Sequence, residues 1–380
     1  MSSTKSIICL ICLLLSAVGY SAAAGQRESV APVGGEGSLS AEAAFEPITI
    51  VDASGREITI SKPVERIAYT HTFGDVLNIL DSWNRVVAVD GSHQGGAIQY
   101  ENMDKLPAIS SPGNCMNINY EKVLELNPDI FLNVCTPSIP GFDDCVKTLE
   151  PEITVIALNF SDPSKTVDSF IKLGKILGKE KEADDFISFY NGIIDELSRR
   201  TEGLTENEKV RVFYKMGWGS VDEFVTFTDD AVAMEQRNRL TGSVNVSADL
   251  PSQGGWVLNI DPEWLVEQNP DVIIDGGMYH GIIGSGTADL MAAENLYESI
   301  KQVETISDMK AVKEDNLLLV WTDSFMTPEY IFNYAYIAKF LHPKLFADFD
   351  PAELHDEYFR RFIGTERDMI SESIFVYPRI

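Results

Sequence analysis

The feature that most constrains the fold is a segment of fifteen residues that occurs twice in the chain. The first copy covers residues 118–132 and the second covers residues 260–274, which lie 142 positions further along. Six of the fifteen aligned positions are identical, and they include Glu121 with Glu263 and an Asn-Pro-Asp sequence that recurs at 269–271. A repeat of this length predicts two lobes of similar construction.

Each copy has the sequence of a short helix followed by a buried strand. Asn119 in the first copy and Asp261 in the second are good N-cap residues, because their side-chain oxygens can accept a hydrogen bond from the first helical turn. Glu121 and Glu263 follow in that turn, where the helix dipole favours an anion. The Asn-Pro dipeptide ends the helix, because the residue before proline is disfavoured in the α conformation, and an apolar run follows. The repeat therefore predicts one exposed glutamate at the same place on each lobe.

Outside the repeat, short apolar runs alternate with helical patterns, which is typical of βαβ units around a parallel sheet. Residues 48–52 and 57–60 predict a hairpin, residues 179–200 predict a single helix of about 30 Å, and residues 329–341 predict a closing helix. Further strands are predicted at 67–70, 86–89, 130–134, 155–158, 210–216, 224–227, 272–274 and 317–321.

These patterns predict an α/β fold with two Rossmann-like lobes joined by a single long α-helix, and with a ligand cleft between the lobes. The predicted divisions are a signal peptide at 1–24, a flexible tether at 25–45, an N-terminal α/β lobe at 46–163, a helical linker at 164–201 and a C-terminal α/β lobe at 202–380.

The N-terminus and the charge indicate an exported protein. Lys5, an apolar run at 7–18 and three alanines at 22–24 predict a secretory signal peptide cleaved before Gly25, and the alternative is an uncleaved N-terminal anchor. The 380 residues carry a net charge of −28, which argues against nucleic acid and anionic lipid as partners. We expect a periplasmic or cell-surface location.

Three cysteines remain after the leader, at positions 115, 135 and 145. An odd number permits at most one internal disulfide, and two alternatives stay open. Either Cys135 pairs with Cys145, or the cysteines are buried free thiols.

Several stretches of the chain carry motifs that occur together in one family. They are an entry hairpin at 52–57 with 63–67, a first-lobe signature at 106–113 with 119–129, Gly254-Gly255-Trp256 before Asp261-Pro262-Glu263, and a closing helix at 328–339 followed by Pro343. In this order they resemble the class III substrate-binding proteins of ABC importers, which bind iron-siderophore complexes, haem and cobalamin. The resemblance covers nearly the whole mature chain.

The resemblance implies a non-catalytic receptor whose two lobes move little around a bound ligand, because a rigid helix joins them. It also implies docking onto an ABC permease dimer with its ATPase subunits through one glutamate on each lobe. By position these are Glu121 and Glu263, which arginines on two symmetry-related permease subunits could bind. The simpler alternative is that both acids only complement their helix dipoles. We expect a monomer with no intrinsic cofactor.

The ligand site is expected beyond the carboxyl ends of the strands, as in other α/β lobes. The segments there are rich in aromatic residues and poor in charge, which suits a large, flat, partly apolar ligand such as a macrocycle or metal chelate. Trp256 also matches a family position that can pack on ligand, with core packing as the alternative. Residues predicted to contact the ligand are Tyr69, His71, Asn114, Trp218, Trp256, Tyr279, His280, Trp321 and Met326.

Three histidines, His71, His93 and His280, are candidate ligands for a metal within the cargo, and a structural hydrogen-bonding role is the alternative for each. The mature sequence has no His-x-x-x-His or Cys-x-x-Cys cluster, which disfavours a site for a naked metal ion. Arg237 and Arg239 are predicted on a solvated helix, and the scarcity of loop arginines disfavours a highly anionic cargo.

The predicted function is therefore a receptor for an iron chelate, haem or a corrinoid. The alternatives are a metallocofactor-handling enzyme of nitrogenase-like two-lobe architecture, a receptor for an oxyanion such as molybdate or tungstate, and a surface interaction protein. The sequence lacks a Gly-x-Ser-x-Gly elbow and a phosphate-binding loop, which argues against the enzyme.

Overall fold

Two sheets, one parallel and one mainly parallel, are the central elements of a mixed α/β fold. Residues 45–380 form one compact unit. Within the described residues, no helix has the length and apolar character needed to cross a bilayer. The computed structural model describes residues 45–380 with the exception of 72, 92–97, 99, 112–113, 135–140, 218–219, 228–233, 252–256, 278–281 and 322–326.

The first half of the chain contains a four-stranded parallel sheet. Its strands are Ile67–Tyr69 (β3), Val86–Ala88 (β4), Ile130–Val134 (β7) and Thr154–Leu158 (β8), preceded by the predicted hairpin Ile48–Val51 (β1) and Glu57–Ile60 (β2), with a small antiparallel pair Ser110–Ser111 (β5) and Asn114–Ile118 (β6). The order is β4-β3-β7-β8, and β7 is buried along its whole length. Such continuous apolar burial is typical of parallel strands covered on both faces. The helices are Phe73–Ile79 (α1), Tyr120–Leu126 (α2) and Phe142–Leu149 (α3), with 3₁₀ turns at Trp83–Arg85 and Met103–Lys105.

The second half contains a five-stranded sheet. Its strands are Val210–Gly217 (β9), Ser243–Asn245 (β11), Val272–Gly277 (β13), Leu317–Val320 (β14) and Val376–Tyr377 (β15), beside an antiparallel pair Val225–Phe227 (β10) and Val257–Asn259 (β12). The order is β11-β9-β13-β14-β15, in which the first four strands are parallel and β15 pairs antiparallel with β14 at the edge. The helices of this half up to β14 are Met234–Thr241 (α6), Pro262–Gln268 (α7), Leu290–Lys301 (α8) and Lys310–Lys313 (α9).

Between the two sheets, the segment predicted as a helical linker forms two helices. They are separated by Gly178, which adopts the left-handed conformation common at a helix C-terminus. The second helix has 22 residues, which corresponds to about 33 Å, and it confirms the single helix predicted at 179–200. The two helices are Pro163–Leu177 (α4) and Glu180–Thr201 (α5).

Helix α5 contacts a different half of the chain at each end. At its start, the amino group of Lys179 lies 2.5 Å from a carboxylate oxygen of Asp81, two residues after the end of α1. At its end, the hydroxyl of Thr201 donates to the carbonyl of Arg239 on α6 at 2.9 Å. The helix therefore joins the two sheet-containing halves. The exact lobe boundaries at 163 and 202 stay a prediction.

The predicted closing helix is present, but it does not close the chain. It is followed by another α-helix, a π-helix and the edge strand β15. Asn78 on α1 donates from Nδ2 to the carbonyls of Phe362 and Ile363 in the π-helix, at 3.0 Å each. The C-terminal segment therefore packs on the first half before it returns to the second sheet. Its helices are Tyr330–Leu341 (α10), Pro351–Tyr358 (α11) and the π-helix Phe359–Ile363.

The largest apolar cluster runs through both halves and includes Leu77 of α1, Phe186 of α5 and Tyr334 of α10. Two smaller clusters lie on other faces of the two sheets. Helix α2 buries Val123 in one of them and helix α7 buries Leu265 in the other. These two residues occupy the same position of the sequence repeat, so both helices pack in the same way.

Candidate functional site

At the carboxyl end of β3 the backbone takes a left-handed conformation at His71. The φ angle of His71 is 59°, which is uncommon for a residue with a side chain, and its N–H donates to Oδ2 of Asp90 at 2.8 Å. Asp90 is fully buried two residues beyond β4. The hydroxyl of Thr70 donates to Oδ1 of Asn133 on β7 at 3.1 Å. These bonds connect the ends of three neighbouring strands, and sparsely populated backbone conformations cluster at functional sites.

The side chains of the two predicted ligand contacts at this strand end are largely buried. Tyr69 is fully buried in the central apolar cluster, with its ring centroid 6.4 Å from that of Trp83, and His71 is 7% exposed. Burial, together with the negative charges of Asp75 and Asp90, raises the pKa of Tyr69 well above its usual value. The phenol is therefore neutral at physiological pH. Binding of cargo or metal by Tyr69 and His71 stays a prediction.

At the carboxyl ends of the second sheet lies a buried ion pair. The amino group of Lys215 on β9 is 2.9 Å from Oδ2 of Asp275 on β13, and both side chains are fully buried. Burying two charges is costly unless each is satisfied by a partner. The pair therefore fixes β9 and β13 relative to each other, close to where both strands end.

Beside this pair, Arg237 corrects the prediction of a solvated helix. Only 3% of Arg237 is exposed, and its guanidinium carbon lies 5.0 Å from the ring centre of Tyr214 and 5.6 Å from that of Tyr334. Arg239, on the same helix, is exposed as predicted. The prediction failed for Arg237 because α6 packs against α10, and Tyr334 of α10 supplies an aromatic face for the cation. Arg237 is therefore a buried cation near the carboxyl ends of β9 and β13.

Arg237 and Lys215 line a cavity with Gly276 at the end of β13 and Asn333 on α10. The cavity has a volume of roughly 20 Å³, which is room for about one water molecule. Two described cations, Lys215 and Arg237, line this cavity, and Asp275 pairs with Lys215.

Trp321 lies at the carboxyl end of β14, where the sequence places a ligand contact. Its indole packs on Phe375, with ring centroids 5.6 Å apart, and its carbonyl accepts a hydrogen bond from Nδ2 of Asn333 at 2.8 Å. Gly284, with a φ of 133°, lets the indole approach closely, because a Cβ there would lie 2.7 Å from Nε1 of Trp321. The side chain of Trp321 is half-buried at the end of this strand.

Several predicted contacts lie outside the described residues. Asn114 begins strand β6, and only its backbone belongs to the description. Within the described part of the chain, no three His, Cys, Asp or Glu side chains are grouped so that they could hold a metal ion. Cys145 is a buried free thiol whose burial raises its pKa to about 11, in agreement with the free-thiol alternative for that residue. The predictions outside the described residues concern His93, Cys135, Trp218, Trp256, Tyr279, His280 and Met326.

The two copies of the sequence repeat form matching helices. Asn119 accepts a hydrogen bond from the N–H of Lys122 at 3.0 Å, and Asp261 accepts one from the N–H of Glu263 at 2.9 Å, so both predicted N-caps are confirmed. Each helix has seven residues. Asn127 and Asn269 end them in the same left-handed conformation, with φ and ψ of 45° and 62° in one and 44° and 63° in the other.

Glu121 and Glu263 stand in the first turns of α2 and α7, and both are exposed. Neither carboxylate forms a salt bridge with another described residue. Each acid therefore places a negative charge on the surface, at the same position of two matching helices. Their docking role stays a prediction.

Two α/β halves joined by a helix form the architecture of the two-lobe periplasmic binding proteins. Residues 67–320 match the periplasmic binding protein family (Peripla_BP_2), and the chain belongs to this family. It is a substrate-binding component of an ABC transporter.

Similar proteins support this assignment. An uncharacterized ABC transporter substrate-binding lipoprotein of Bacillus subtilis, YvrC, is 27% identical over 234 residues, which cover 60% of this chain and 68% of YvrC. The molybdate-binding protein MolA of Haemophilus influenzae is 21% identical over 354 residues, or 86% of this chain and 94% of MolA. The TroA-like periplasmic binding protein FepB of Veillonella parvula superimposes with a TM-score of 0.72 at 22% identity, covering 87% of this chain and 99% of FepB. The last similarity establishes the shared fold.

Proposed function

We propose that this substrate-binding component captures a metal complex with acidic groups, such as an iron chelate or haem, and delivers it to an ABC permease. The observation that carries the proposal is the buried Arg237 beside Lys215 and Asp275 at the carboxyl ends of β9 and β13. Because the cavity beside Arg237 has room for about one water molecule, the cation would act on an acidic group bound beyond the strand ends through its electric field, which is stronger in surroundings with little water than in bulk solvent. A corrinoid without acidic groups gains nothing from it.

The aromatic part of the proposed site is Trp321. Its half-buried indole is held by Phe375 and Gly284 at the end of β14, the strand beside β13. A fixed aromatic face suits the flat, partly apolar body of a chelate or macrocycle. A cation and an aromatic wall at neighbouring strand ends together favour a ligand that is both flat and anionic.

Titration of the purified protein with ferric chelates, haem, cobalamin and molybdate, followed by tryptophan fluorescence and calorimetry, tests the proposal. The variant Arg237→Met should weaken binding of the acidic complex about tenfold, because the attraction between a buried cation and a nearby anion amounts to about 1–2 kcal/mol. Arg239→Met removes the same charge from the exposed face of the same helix and should leave the affinity unchanged. Tight binding of cobalamin alone, or equal affinities of the two variants, would overturn the cargo assignment.

An oxyanion such as molybdate is the second candidate. The similarity to MolA, whose name describes a molybdate-binding protein, extends over 86% of this chain, and the cations Lys215 and Arg237 near the strand ends suit a small anion. In the same titration, this candidate predicts a calorimetric signal with molybdate and none with the iron complexes. Family membership favours either receptor over the metallocofactor enzyme considered from the sequence.

Docking through Glu121 and Glu263 completes the proposal. Two exposed acids in the first turns of equivalent helices suit a pair of cationic sites on a symmetric permease dimer. If the acids served only the helix dipoles, each would contribute about 0.3–1 kcal/mol to stability and nothing to a partner. The N-terminal segments 1–24 and 25–45 would then direct export and tether the binding unit outside the membrane.

A further inference from the structure

We call α2 and α7 the docking helices, after the proposed role of Glu121 and Glu263. An arginine bonds the C-terminal end of each of them, and the sequence repeat does not contain this arginine. Nη2 of Arg66 donates to the carbonyl of Leu126 at the end of α2, at 2.6 Å. Nη2 of Arg211 donates to the carbonyl of Gln268 at the end of α7, at 3.0 Å. Leu126 and Gln268 occupy the same position of the repeat but differ in side chain. Because the hydrogen bonds go to backbone carbonyls, the difference in side chain does not affect them.

Both arginines are fixed by the same backbone arrangement. The N–H of Asp129 donates to the carbonyl of Arg66 at 2.8 Å, and the N–H of Asp271 donates to the carbonyl of Arg211 at 2.9 Å. The side chains of the same aspartates accept hydrogen bonds from the same arginines. Oδ2 of Asp129 accepts from the N–H of Arg66 at 2.8 Å, and Oδ2 of Asp271 accepts from the N–H of Arg211 at 3.4 Å. Each arginine is thereby tied to the Asn-Pro-Asp turn that ends its docking helix.

The aspartate of each turn also bonds a lysine. Lys62 lies 2.5 Å from Asp129, and Lys310 lies 3.3 Å from Asp271. Burial alone would raise the pKa of Asp129, but its bonds from Lys62 and from the N–H groups of Glu65 and Arg66 outweigh this effect and lower the pKa. The carboxylate is therefore ionised at physiological pH. The same three-part arrangement of arginine, aspartate and lysine occurs in both lobes, although the two lysines come from unrelated parts of the chain.

Helices as short as α2 and α7 depend on such contacts. Isolated helices of fewer than about twelve residues are marginal in water, so seven residues keep their helical form only through their caps and packing. The last carbonyls of a helix have no partner within it, and a cation there also complements the dipole. Each helix fully buries one residue, Val123 or Leu265, and its other packed apolar side chains are only partly buried, so the bonds at its C-terminal end help to fix its tilt on the sheet.

We infer that Arg66 and Arg211 are positioning residues for permease docking. They hold the C-terminal ends of α2 and α7 in the same orientation in both lobes, so that Glu121 and Glu263 stand in a fixed direction for a symmetric partner. This inference rests on the proposed docking role of the two glutamates. Both arginines are exposed, so their removal leaves no buried polar group and changes the overall free energy of unfolding little.

The test measures binding of four forms of the full protein to the cognate permease–ATPase complex in nanodiscs. They are the wild type, Glu121→Ala with Glu263→Ala, Arg66→Met with Arg211→Met, and Arg199→Met as an exposed arginine on α5 away from the docking helices. The arginine pair should weaken permease binding about tenfold. The double arginine variant should also have faster amide hydrogen exchange in α2 and α7. Its cargo affinity and its denaturation midpoint should be close to those of Arg199→Met.

Replacement of both arginines by lysine separates geometry from charge. Lysine keeps the positive charge but not the planar group that bonds the carbonyls, so it should restore only part of the permease affinity. Full affinity of the Arg66→Met and Arg211→Met form, while the glutamate pair loses binding, would overturn the positioning role and leave docking intact. Unchanged binding of the glutamate pair would instead overturn the docking assignment itself.

Discussion

Replacing Glu329 with glutamine is expected to change the pH dependence of stability in one defined direction. Oε1 of Glu329 lies 2.8 Å from Nε2 of His355, and both side chains are buried. Phe332 and Phe359 stack on the imidazole with ring centroids at 4.2 and 4.7 Å. Exclusion of water raises the pKa of Glu329 to about 8 and lowers the pKa of His355 well below its usual value. The pair is therefore uncharged near neutral pH.

A carboxyl group whose pKa is higher in the folded than in the unfolded chain stabilises the fold most at low pH. The contribution of Glu329 is complete below the ordinary glutamate pKa of 4.5 and is lost as the pH rises through about 8. The loss is roughly 1–2 kcal/mol per pH unit, or about 3 kcal/mol between pH 5 and pH 7. His355 acts in the opposite direction, because its contribution is present above the ordinary histidine pKa of 6.5 and is lost as the pH falls.

Urea unfolding of the wild type and of Glu329→Gln across this range measures the effect. The free energy of unfolding of the variant, minus that of the wild type, should rise with pH, because only the wild type loses the carboxyl contribution. Glu353→Gln is the matched control, since Glu353 is exposed on α11, and its curve should run parallel to that of the wild type. Equal pH slopes for Glu329→Gln and the wild type would refute the reasoning.

Three further predictions concern packing and the buried ion pair. Asp275→Asn leaves Lys215 buried opposite a neutral partner and should lower the free energy of unfolding by about 3–5 kcal/mol, with part of the loss recovered when Lys215→Met is added. Gly174→Ala places a Cβ 2.8 Å from that of Ala183 and should lower the melting temperature, whereas Gly192→Ala, with open space around it, should raise it through helix propensity. Gly284→Ala should displace the Trp321 indole and shift its fluorescence emission, and an unchanged spectrum would contradict the close contact.

Local signals explain why the docking helices and α5 were predictable. The N-caps Asn119 and Asp261 and the Asn-Pro stops are adjacent in sequence to the helices they bound, and the apolar spacing of 179–200 specifies one face of one helix. The alternation of apolar runs with helical patterns predicted the parallel sheets in the same way. None of these features needs a contact between distant residues.

The features that sequence reasoning missed depend on distant contacts. Arg237 is buried because Tyr334, on another helix, covers it, and no local pattern around Arg237 indicates this. The bonds from Asn78 to the π-helix span 284 and 285 positions. The arginines behind the docking helices lie outside the repeat. A single positional signal was available for them, since each lies where a parallel strand begins beside the end of its docking helix.

Uptake of labelled cargo into proteoliposomes that contain the cognate permease and its ATPase subunits tests the central claim most directly. Wild-type protein should support ATP-dependent uptake, and Glu121→Ala with Glu263→Ala should abolish it while cargo affinity stays unchanged. Uptake at the wild-type rate by that double variant, or loss of its cargo binding, would contradict a receptor that binds cargo at the strand ends and delivers it through two equivalent docking helices.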